Sequence, residues 1–407
     1  MRQSTLFTRT VKESPKDELS KNAQLLLRAG FIYKEMAGAY GFLPLGLRVF
    51  KKIEAVIREE MNAIGGQEIV LPSLQNKETW EPTDQWDDAK VDIWFKTKLK
   101  NETTLGLAFT HEAAMAKLML NYVNSYRDLP KFLYQFQTKF RNELRTKSGI
   151  MRSREFVMKD MYSFCRSEEE HATLYEAAKQ AYVKVFRRLG IGDHTYLTFA
   201  WGGGFAKFSH EFQTLTDAGE DTIYVSREKK IAINKEVYTP EILAELGLNE
   251  SELTEEKAAE VGNIFNLGTR FSSALGLKYS DESGAKHDVI MGSYGIGPAR
   301  VMGTIVELMA DEKGLVWPSG IAPFDAHLLA LGELSEAEGC YKQLSAAGID
   351  VLFDDRANVG NGAKFADADL IGCPLRIVIS EKSLAAGGAE LKHRNGNDTE
   401  IVALSEL

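Results

Sequence analysis

Cysteine is scarce in this sequence: Cys165, Cys340 and Cys373 are the three among 407 residues, and no two of them form a CxxC pair. This spacing gives no signal for a zinc site, and separate thiols are typical of a reducing compartment. No apolar run approaches the roughly 18 residues of a membrane span. The N-terminus lacks the apolar segment of a signal peptide and is acidic by Glu13. We therefore expect a cytoplasmic protein without a membrane partner.

The charge balance is acidic, with 49 basic and 58 acidic side chains and a net charge of −9. This balance argues against a protein that coats nucleic acid indiscriminately, and we expect no DNA partner. Residues 139–164 reverse the balance, because they contain seven Lys or Arg and three acidic residues. A local cationic patch in an acidic chain predicts a polyanionic ligand.

The length suits two or three domains. Apolar residues at three- and four-residue steps predict helices over 14–30 and 46–66, the first with a cap at Ser14. Alternating apolar and polar residues predict an antiparallel hairpin over 132–164 with a long basic loop. A capped helix should follow Ser167. Weak apolar patterning at 225–262 predicts a small surface insertion.

The pattern of predicted secondary structure changes near residue 323. Strands and helices alternate from there to a final hairpin around Asn395 and Gly396. The prediction is an α+β protein: a first domain with an antiparallel sheet flanked by helices, and a C-terminal α/β domain with a mixed sheet.

Two hairpin residues carry chemistry. Strand alternation places Arg141 and Glu143 on the same face. Arg141 keeps its charge at any working pH, and its fork of donors suits phosphate oxygens. Glu143 could accept from an exocyclic amine such as that of adenine. Taken alone, the two residues could equally form an ion pair on a solvated sheet face.

Three further stretches are informative only in combination. Arg152 lies where a loop could fold over a phosphate tail, and Phe156 could stack on a base or belong to the core. "GSYGIGPAR" joins a strand to a helix at Arg300, which could hold an anion or lie on the surface. "THE" places Thr110 and Glu112 at a helix start, where they could cap the helix or hold an ammonium group.

In this order, the stretches resemble the motifs of class II aminoacyl-tRNA synthetases, and within them the bacterial-type prolyl-tRNA synthetases. Motif 1 resembles "GFLPLGLRVFKKIEAVIREEM" with a following "LP", motif 2 resembles "TKFRNE" with "GIMRSREFVMKDMYSF", and motif 3 resembles "GSYGIGPAR". "MRQSTLF", "THE" and "SHEF" are similar to the prolyl enzymes, and "DDRANVGNGAKFADADLIGCP" is similar to their anticodon-binding domain. The resemblance covers nearly the whole chain.

The resemblance implies an activity and an organisation. L-proline would react with ATP, assisted by Mg²⁺, to give prolyl-adenylate and pyrophosphate, and proline would then pass to the 3′ end of tRNA(Pro). A class II catalytic domain would span 1–224 and 263–322, with residues 225–262 in place of an editing domain. An anticodon-binding domain would span 323–407. Motif 1 would form a homodimer.

The resemblance also implies residue roles. The catalytic residues would be Arg141, which contacts the α-phosphate and the substrate carboxylate, and Arg300. ATP would be held by Arg141, Glu143, Arg152, Phe156 and Arg300. The proline pocket would be lined by Thr110, Glu112, Arg141, His210, Glu211 and Ser293. The tRNA would be contacted by Arg356 and Lys364 in the C-terminal domain. Apart from the resemblance, the reach of the hairpin loop makes the tRNA acceptor end the expected partner of its remaining cations, Arg145, Lys147 and Arg154.

Two alternatives stay open at this point. A threonyl enzyme would keep the class and change the amino acid, although the sequence lacks a zinc-ligand pattern and contains "THE" and "SHEF". A paralogue that binds tRNA without activating an amino acid would tend to lose the phosphate arginines, whereas Arg141, Arg152 and Arg300 are present. Ser293 stands where relatives commonly have Cys, and Asn263 where many have His.

Because only residues 225–262 stand where relatives carry an editing domain, we expect this chain not to hydrolyse misacylated tRNA. A missing methylene contributes only about 1–3 kcal/mol of discrimination, so some activation of alanine should be measurable. The check is the half-life of alanyl-tRNA(Pro) with and without the pure protein, which should be equal. Rapid deacylation by the protein would contradict the expectation.

Overall fold

The computed structural model describes residues 1–146, 148–202 and 208–407. Lys147 and residues 203–207, in the glycine-rich segment after Trp201, lie outside the described residues. The chain divides into two units, one of residues 1–36, 40–53 and 305–407 and the other of residues 37–39 and 54–304. No helix among the described residues combines the length and the apolar character that crossing a membrane requires.

The helices are numbered in chain order. They are α1 (Lys21–Arg28), α2 (Pro44–Ala63), α3 (Lys77–Trp80), α4 (Glu112–Met119), α5 (Glu168–Arg188), α6 (Pro240–Glu245), α7 (Arg270–Leu275), α8 (Pro298–Met309), α9 (Leu334–Ala346), α10 (Asn361–Ile371) and α11 (Glu381–Ala385).

The strands of the first two thirds of the chain are β1 (Ile32–Met36), β2 (Ala39–Phe42), β3 (Gln67–Glu68), β4 (Leu74–Asn76), β5 (Phe95–Lys98), β6 (Thr104–Leu107), β7 (Lys131–Phe140), β8 (Glu155–Cys165), β9 (Thr195–Trp201), β10 (Phe208–Leu215), β11 (Asp221–Ser226), β12 (Ile231–Asn234) and β13 (Thr254–Gly268). The remaining strands are β14 (Lys278–Ser280), β15 (Lys286–Asp288), β16 (Ile290–Ile296), β17 (Ala326–Leu331), β18 (Val351–Asp354), β19 (Leu375–Ser380), β20 (Ala389–His393) and β21 (Thr399–Val402).

The early helices follow the sequence only in part. α2 and α5 form as predicted, and the Ser167 hydroxyl caps α5 by accepting from the amide of Glu170. α1 begins at Lys21 and not at Ser14. The preceding residues form a turn, because the amide of Glu18 donates to the carbonyl of Pro15 at 3.1 Å. The buried Glu18 carboxylate then accepts from Ser20, and this contact competes with a regular helix.

The larger unit contains a nine-stranded sheet in the order β10-β9-β12-β11-β13-β16-β8-β7-β3. Its pairs are antiparallel except β12 with β9 and β3 with β7. This confirms the predicted antiparallel sheet. The predicted hairpin is β7 and β8, which pair from Lys131 with Phe164 to Phe140 with Glu155.

Alternation divides this sheet into two faces. On β8, Phe156, Met158, Asp160 and Tyr162 point to the side that we call the front face, and Lys159 points to the back face. Directly paired residues share a face, so the register assigns the neighbouring strands as well.

The back face is covered by α5. Phe212 of β10 packs on Tyr182 and Phe186 of α5, with ring centroids 5.2 and 5.4 Å apart. Lys159 is fully buried there and donates to the Tyr182 hydroxyl at 2.6 Å and to the Tyr294 carbonyl at 2.9 Å. Burial lowers the pKa of Lys159 well below its usual range.

The sheet closes on itself at one end, because β10 pairs with β13 as well as with β9. Strands β9 to β13 therefore form a closed ring with a small apolar interior. Its core residues are Tyr196, Ile223, Val225, Ala232 and Ala258, with Leu215 packed against them.

The ring changes the interpretation of residues 225–262. Residues 254–262 belong to β13 and pair with β10, β11 and β16, so the predicted boundary at 262 falls inside a strand. In their sequence, "TEEKAAEVG", the exposed residues lie in the first half and the buried alanines and valine lie in the second half. The remaining residues form β12 and a small cluster around α6, with Val237, Leu243 and Leu248 buried.

The smaller unit contains a five-stranded mixed sheet in the order β18-β17-β19-β20-β21. β17 is parallel to β18 and β19, and the remaining pairs are antiparallel. One face packs through Leu328, Phe353 and Ile377 on α9, and the other packs through Leu329 and Val378 on Ala368 of α10. This confirms the predicted C-terminal α/β domain with a mixed sheet and a final hairpin.

Candidate active site

Two adjoining cavities of about 50 and 250 Å³ lie at the loop end of the β7–β8 hairpin. Both are lined by Arg141, Glu143, Met151, Arg152, Glu260 and Arg300. The smaller cavity adds Phe156 and Met158 of β8, Asn263 of β13 and Gly295 of β16. The structure thus brings together all five residues that the sequence assigned to ATP.

Arg141 directly follows β7 and is held at its base. Its Nε donates to the carbonyl of Phe109 at 3.4 Å, and its guanidinium lies 5.3 Å from the centre of the Phe156 ring. Burial, together with the positive charge of Arg300, lowers the pKa of Arg141. The group stays cationic at working pH, because a guanidinium starts from a pKa above 12. Arg141 is a desolvated cation that an anion would stabilise.

Arg152 bridges two carboxylates across the cavity. Its Nη2 donates to Glu143 Oε2 at 2.7 Å, and its Nη1 donates to Glu220. All three side chains are partly exposed, and such ion pairs contribute about 0–1 kcal/mol. A phosphate group could therefore take Arg152 from either partner at small cost.

Arg300 lies on the first turn of α8 and is fixed by three bonds. Its Nε donates to the carbonyl of Met151 at 2.9 Å, and its Nη1 donates to the carbonyl and to the carboxylate of Glu260 at 3.0 and 2.9 Å. Asn263 donates to the other oxygen of the same carboxylate at 2.8 Å. A Cβ at residue 295 would lie 2.8 Å from Asn263 Oδ1, so a larger residue there would displace the Asn263 side chain.

The Thr110–Glu112 turn reaches the same region from α4. The Thr110 hydroxyl donates to Glu112 Oε2 at 2.5 Å, and burial raises the pKa of Glu112. The negative charge of Glu112 acts on Arg141, which places the two side chains near each other. A half-buried carboxylate beside a hydroxyl suits a small ammonium group.

The residues of "SHEF" do not share a pocket. Glu211 pairs with Asn263 and points to the front face, whereas His210 points to the back face. There His210 Nδ1 lies 2.8 Å from the hydroxyl of Tyr175 on α5, and burial lowers its pKa to about 4. This geometry corrects the assignment of His210 to the proline pocket. Ser293 pairs with Tyr162 and does face the front.

Glu211 is surrounded by polar side chains. Gln213 Nε2 donates to Glu211 Oε2 at 2.8 Å and to Asp221 Oδ2 at 2.7 Å, and Asn234 donates to Glu211 Oε2 at 3.2 Å. Burial, together with the negative charge of Glu260, raises the pKa of Glu211 to about 8. Its carboxyl group is therefore mostly protonated at neutral pH.

Arg356 and Lys364 lie in the C-terminal domain and are already engaged. Lys364 is 3% exposed and donates to the carbonyl of Ala330 at 2.7 Å. Arg356 donates to both oxygens of Asp354 at 2.8 and 2.6 Å and to Asp367 at 2.8 Å. The structure therefore gives both cations an internal role and offers no exposed surface of Lys364 to an RNA.

Sequence reasoning missed the acidic partners of the site. Glu220 and Glu260 hold the two arginines, but both follow charged or glycine-rich stretches that look like surface. Strict alternation would place Glu260 and Asn263 on opposite faces of β13, because they are three residues apart. They meet beside the irregular register between β10 and β13, which the sequence does not show. The sequence also gave no role to Lys139 and Asp160, a buried ion pair with 2.8 Å between Nζ and Oδ1.

Comparison with known proteins agrees with this geometry. The family model described as tRNA synthetase class II core domain (G, H, P, S and T) matches residues 95–309, and the model described as anticodon binding domain matches residues 321–407. The fold and the site thus define a class II aminoacyl-tRNA synthetase.

Relatives define the family within that class. Proline--tRNA ligase of Rhodospirillum rubrum is 37% identical over 97% of this chain and 96% of its own length. The enzyme of the same name from Methylobacterium sp. is 36% identical over 100% and 98%. The chain belongs to the proline--tRNA ligase family.

Solved structures show the same fold. Giardia lamblia prolyl-tRNA synthetase in complex with prolyl-adenylate superposes with a TM-score of 0.77 at 20% identity, covering 94% of this chain and 74% of that one. Prolyl-tRNA synthetase from Cryptosporidium parvum complexed with L-proline and AMP gives 0.76 at 17% identity, covering 95% and 75%.

The raised pKa of Glu211 generates a testable prediction. Folding raises this pKa from the ordinary 4.5 to about 8, so ionisation of Glu211 opposes folding progressively across that interval. We expect Glu211→Gln to raise the melting temperature relative to the parent at pH 8 and hardly at pH 4.5. The measurement is scanning calorimetry of both proteins over this range. A melting-temperature difference that does not change with pH would contradict the raised pKa.

Proposed function

We propose that the protein activates L-proline with ATP, forming prolyl-adenylate and pyrophosphate, and then transfers proline to the 3′ end of tRNA(Pro). One observation carries this proposal. Three arginines from different elements, Arg141, Arg152 and Arg300, meet in one cavity beside Phe156. Arg141 also donates to the carbonyl of Phe109, the residue that precedes the Thr110–Glu112 turn. This is a site for a polyanion with a planar base, placed beside a site for a small ammonium group.

The first step needs positioning more than proton transfer. The proline carboxylate is already ionised when it attacks the α-phosphorus, so no general base is required. Arg141 would contact both the carboxylate and the α-phosphate and would stabilise the charge that develops there. Its desolvated position makes that interaction stronger than it would be in water. The bond to pyrophosphate breaks as the acyl–phosphate bond forms.

The remaining ATP contacts involve exchange of partners. The β- and γ-phosphates would replace Glu143 or Glu220 on Arg152, which frees Glu143 to accept from the adenine amine. Phe156 and Arg300 would hold the adenine ring between them, and Arg300 is already oriented by Glu260 and Met151. Stacking of a base on an aromatic ring contributes about 1–3 kcal/mol.

Recognition of proline would rest on the front-face residues. The ring nitrogen of proline is a secondary ammonium with two donors, and Thr110 and Glu112 offer acceptors at 2.5 Å from each other. Ser293 and Glu211 also point to this face, and we keep both in the proposed pocket and leave His210 out. Ser293 is small and 9% exposed, which suits a pocket wall.

Mg²⁺ belongs to the proposal as a partner of ATP. Among the described residues, no group of three or more His, Cys, Asp or Glu side chains is placed to hold a metal. Mg²⁺ is commonly held by one or two carboxylates together with substrate phosphates. Glu220 and Glu260 line the larger cavity and fit that donor set. When bound, the ion would neutralise phosphate charge.

The tRNA would contact both the catalytic domain and the C-terminal domain. The C-terminal anticodon-binding domain would receive the anticodon, although not through a buried Lys364. Arg145 and Arg154 lie on the hairpin loop near the cavity, where the acceptor end has to arrive. Arg154 is anchored by the carbonyls of Ala37 and Glu143 at 2.6 and 3.0 Å. We propose a cytoplasmic location for the enzyme, as expected for one that acts on ATP, proline and tRNA.

Absence of editing by this chain is also part of the proposal. The residues between β10 and β16 form the ring strands β11, β12 and β13, together with α6, α7 and the β14–β15 hairpin. In that part of the described chain, the inserted residues contribute strands and one small apolar cluster to the larger unit. This arrangement supports selection of the amino acid by the size of the binding pocket, without hydrolytic editing.

The exchange of pyrophosphate into ATP tests the proposed function. We expect exchange that depends on proline and hardly responds to threonine. Arg141→Ala should lower it at least a hundredfold, because a buried charge-assisted contact to the reacting phosphate is lost. Arg227→Ala is the matched control, since this arginine is exposed and pairs with Glu256 on the surface. Threonine-dependent exchange would favour a threonyl enzyme, and no exchange with any amino acid would favour a paralogue.

We further propose a homodimer through motif 1. Large apolar side chains beside this motif are exposed, with Val70 at 68% and Leu74 at 57%. Covering such a surface is the usual reason for its presence. We expect sedimentation analysis to give twice the chain mass of 45.4 kDa, and the double variant Val70→Lys, Leu74→Lys to give one chain mass. A parent protein that sediments as a monomer would refute the dimer.

A further inference from the structure

A buried ion pair lies on the front face behind the Thr110–Glu112 turn. Lys139 of β7 is 0% exposed and Asp160 of β8 is 2% exposed, and their Nζ and Oδ1 atoms are 2.8 Å apart. Removing two charges from water costs several kcal/mol per ion unless further hydrogen bonds compensate. Here they do: Asp160 Oδ2 accepts from Gln135 Nε2 at 2.9 Å and from the Tyr162 hydroxyl at 3.0 Å.

The ion pair reaches the turn by two routes, and both end at His111. Lys139 Nζ donates to His111 Nδ1 at 2.8 Å, which makes His111 Nε2 the donor to the carbonyl of Pro72 at 3.2 Å. The Tyr162 hydroxyl, oriented by Asp160, accepts from the backbone amide of His111 at 3.3 Å. The imidazole and the backbone of His111 are thus both attached to the sheet.

His111 stands between the two residues that would bind the proline nitrogen. Burial and the nearby charge of Lys139 lower the pKa of His111 to about 4, so the ring is neutral and has a free Nδ1 lone pair for Lys139. Fixing residue 111 fixes where Thr110 and Glu112 point. The Glu112 carboxylate has to point toward the ammonium group that it binds, because such a hydrogen bond is made through specific oxygens.

We propose that Asp160 is a positioning residue for amino-acid recognition: together with Lys139 it anchors His111 and so holds Thr110 and Glu112 in the direction that receives the secondary ammonium of proline. This inference rests on the proposed function. Asp160 would touch neither proline nor ATP. Its hydrogen bonds go to Lys139, Gln135 and Tyr162, whereas the ATP contacts belong to Arg152, Arg300 and Phe156. Its loss should therefore affect proline more than ATP.

The test is pyrophosphate exchange with Asp160→Asn and Lys139→Gln. Either change leaves a buried group without its partner, a loss that corresponds to about tenfold or more in binding. We expect the KM for proline to rise at least tenfold while the KM for ATP stays within about twofold. Equal changes in both KM values, or no change in either, would overturn the proposal.

Lys159→Met is the matched control. Lys159 precedes Asp160 on the same strand and is equally buried, but it points to the back face and bonds to α5 and β16. It should lower the melting temperature without separating the two KM values. If it raises the KM for proline selectively, the effect of Asp160 is general to the strand and the proposal fails.

A proline analogue separates positioning from general damage. Tetrahydrofuran-2-carboxylate has an ether oxygen in place of the ring nitrogen, so it cannot use the Thr110–Glu112 pair as an ammonium does. Its inhibition constant should be the same for the parent and for Asp160→Asn, whereas proline binding weakens. Equal weakening of both compounds would contradict the assigned role.

Gln135→Leu covers the case in which the charge variants do not fold. It removes one of the donors to Asp160 and keeps the ion pair, and it should give a smaller shift of the proline KM in the same direction. No shift in a folded Gln135→Leu protein, together with unfolded charge variants, would leave Asp160 a folding role only and refute the proposal. A parent protein without proline-dependent exchange would instead refute the proposed function.

Discussion

The two-residue period of one strand is the constraint on which the rest of the structure depends. Lys159 and Asp160 are adjacent on β8, and both are buried. The pleat sends the amine into the helix-covered back face and the carboxylate toward the site. Each buried group then requires its own partners. The register of β8 therefore determines which group faces α5 behind the sheet and which faces the Thr110–Glu112 turn in front of it. A shift by one residue would exchange the two environments.

Two of the three cavity arginines form ion pairs with carboxylates of the protein. Arg152 and Arg300 are bonded to Glu143, Glu220 and Glu260. These contacts hold the guanidinium groups at the cavity wall and limit their mutual repulsion. Arg141 differs, because its neighbours are a carbonyl and an aromatic ring, and no carboxylate of the described residues is hydrogen-bonded to it. The least compensated cation is therefore the one proposed to meet the reacting phosphate.

The sequence predicted what depends on local pattern. The β7–β8 hairpin, α2, α5 and the C-terminal sheet follow from periodicity and capping, and the arginines follow from motif order. The face that each strand residue occupies did not follow. His210 and Glu211 alternate to opposite faces, but only the register with β13 shows which of the two faces the cavity. The ring of β9 to β13 depends on a pairing between distant strands, and a charged strand such as "TEEKAAEVG" resembles surface until that pairing exists.

Burial also escaped the sequence. Lys364 looks like a surface cation in a polar stretch, yet it is bonded to a strand carbonyl inside the C-terminal domain. Arg356 is satisfied by Asp354 and Asp367, one of which lies eleven residues further along the chain. Whether a charged side chain faces water or bonds inside the domain depends on tertiary contacts, and residue spacing does not predict these.

The closed ring has a consequence for how this family can vary. A sheet that closes leaves its strands no open edge, so the backbone there does not offer hydrogen bonds to another chain. Loops between ring strands can then lengthen or shorten without exposing a strand edge. The entropic cost of closing a longer loop grows only slowly with its length. The junctions around β11, β12 and β13 are thus places where a whole domain could be gained or lost in evolution while the cavity beside them keeps its shape.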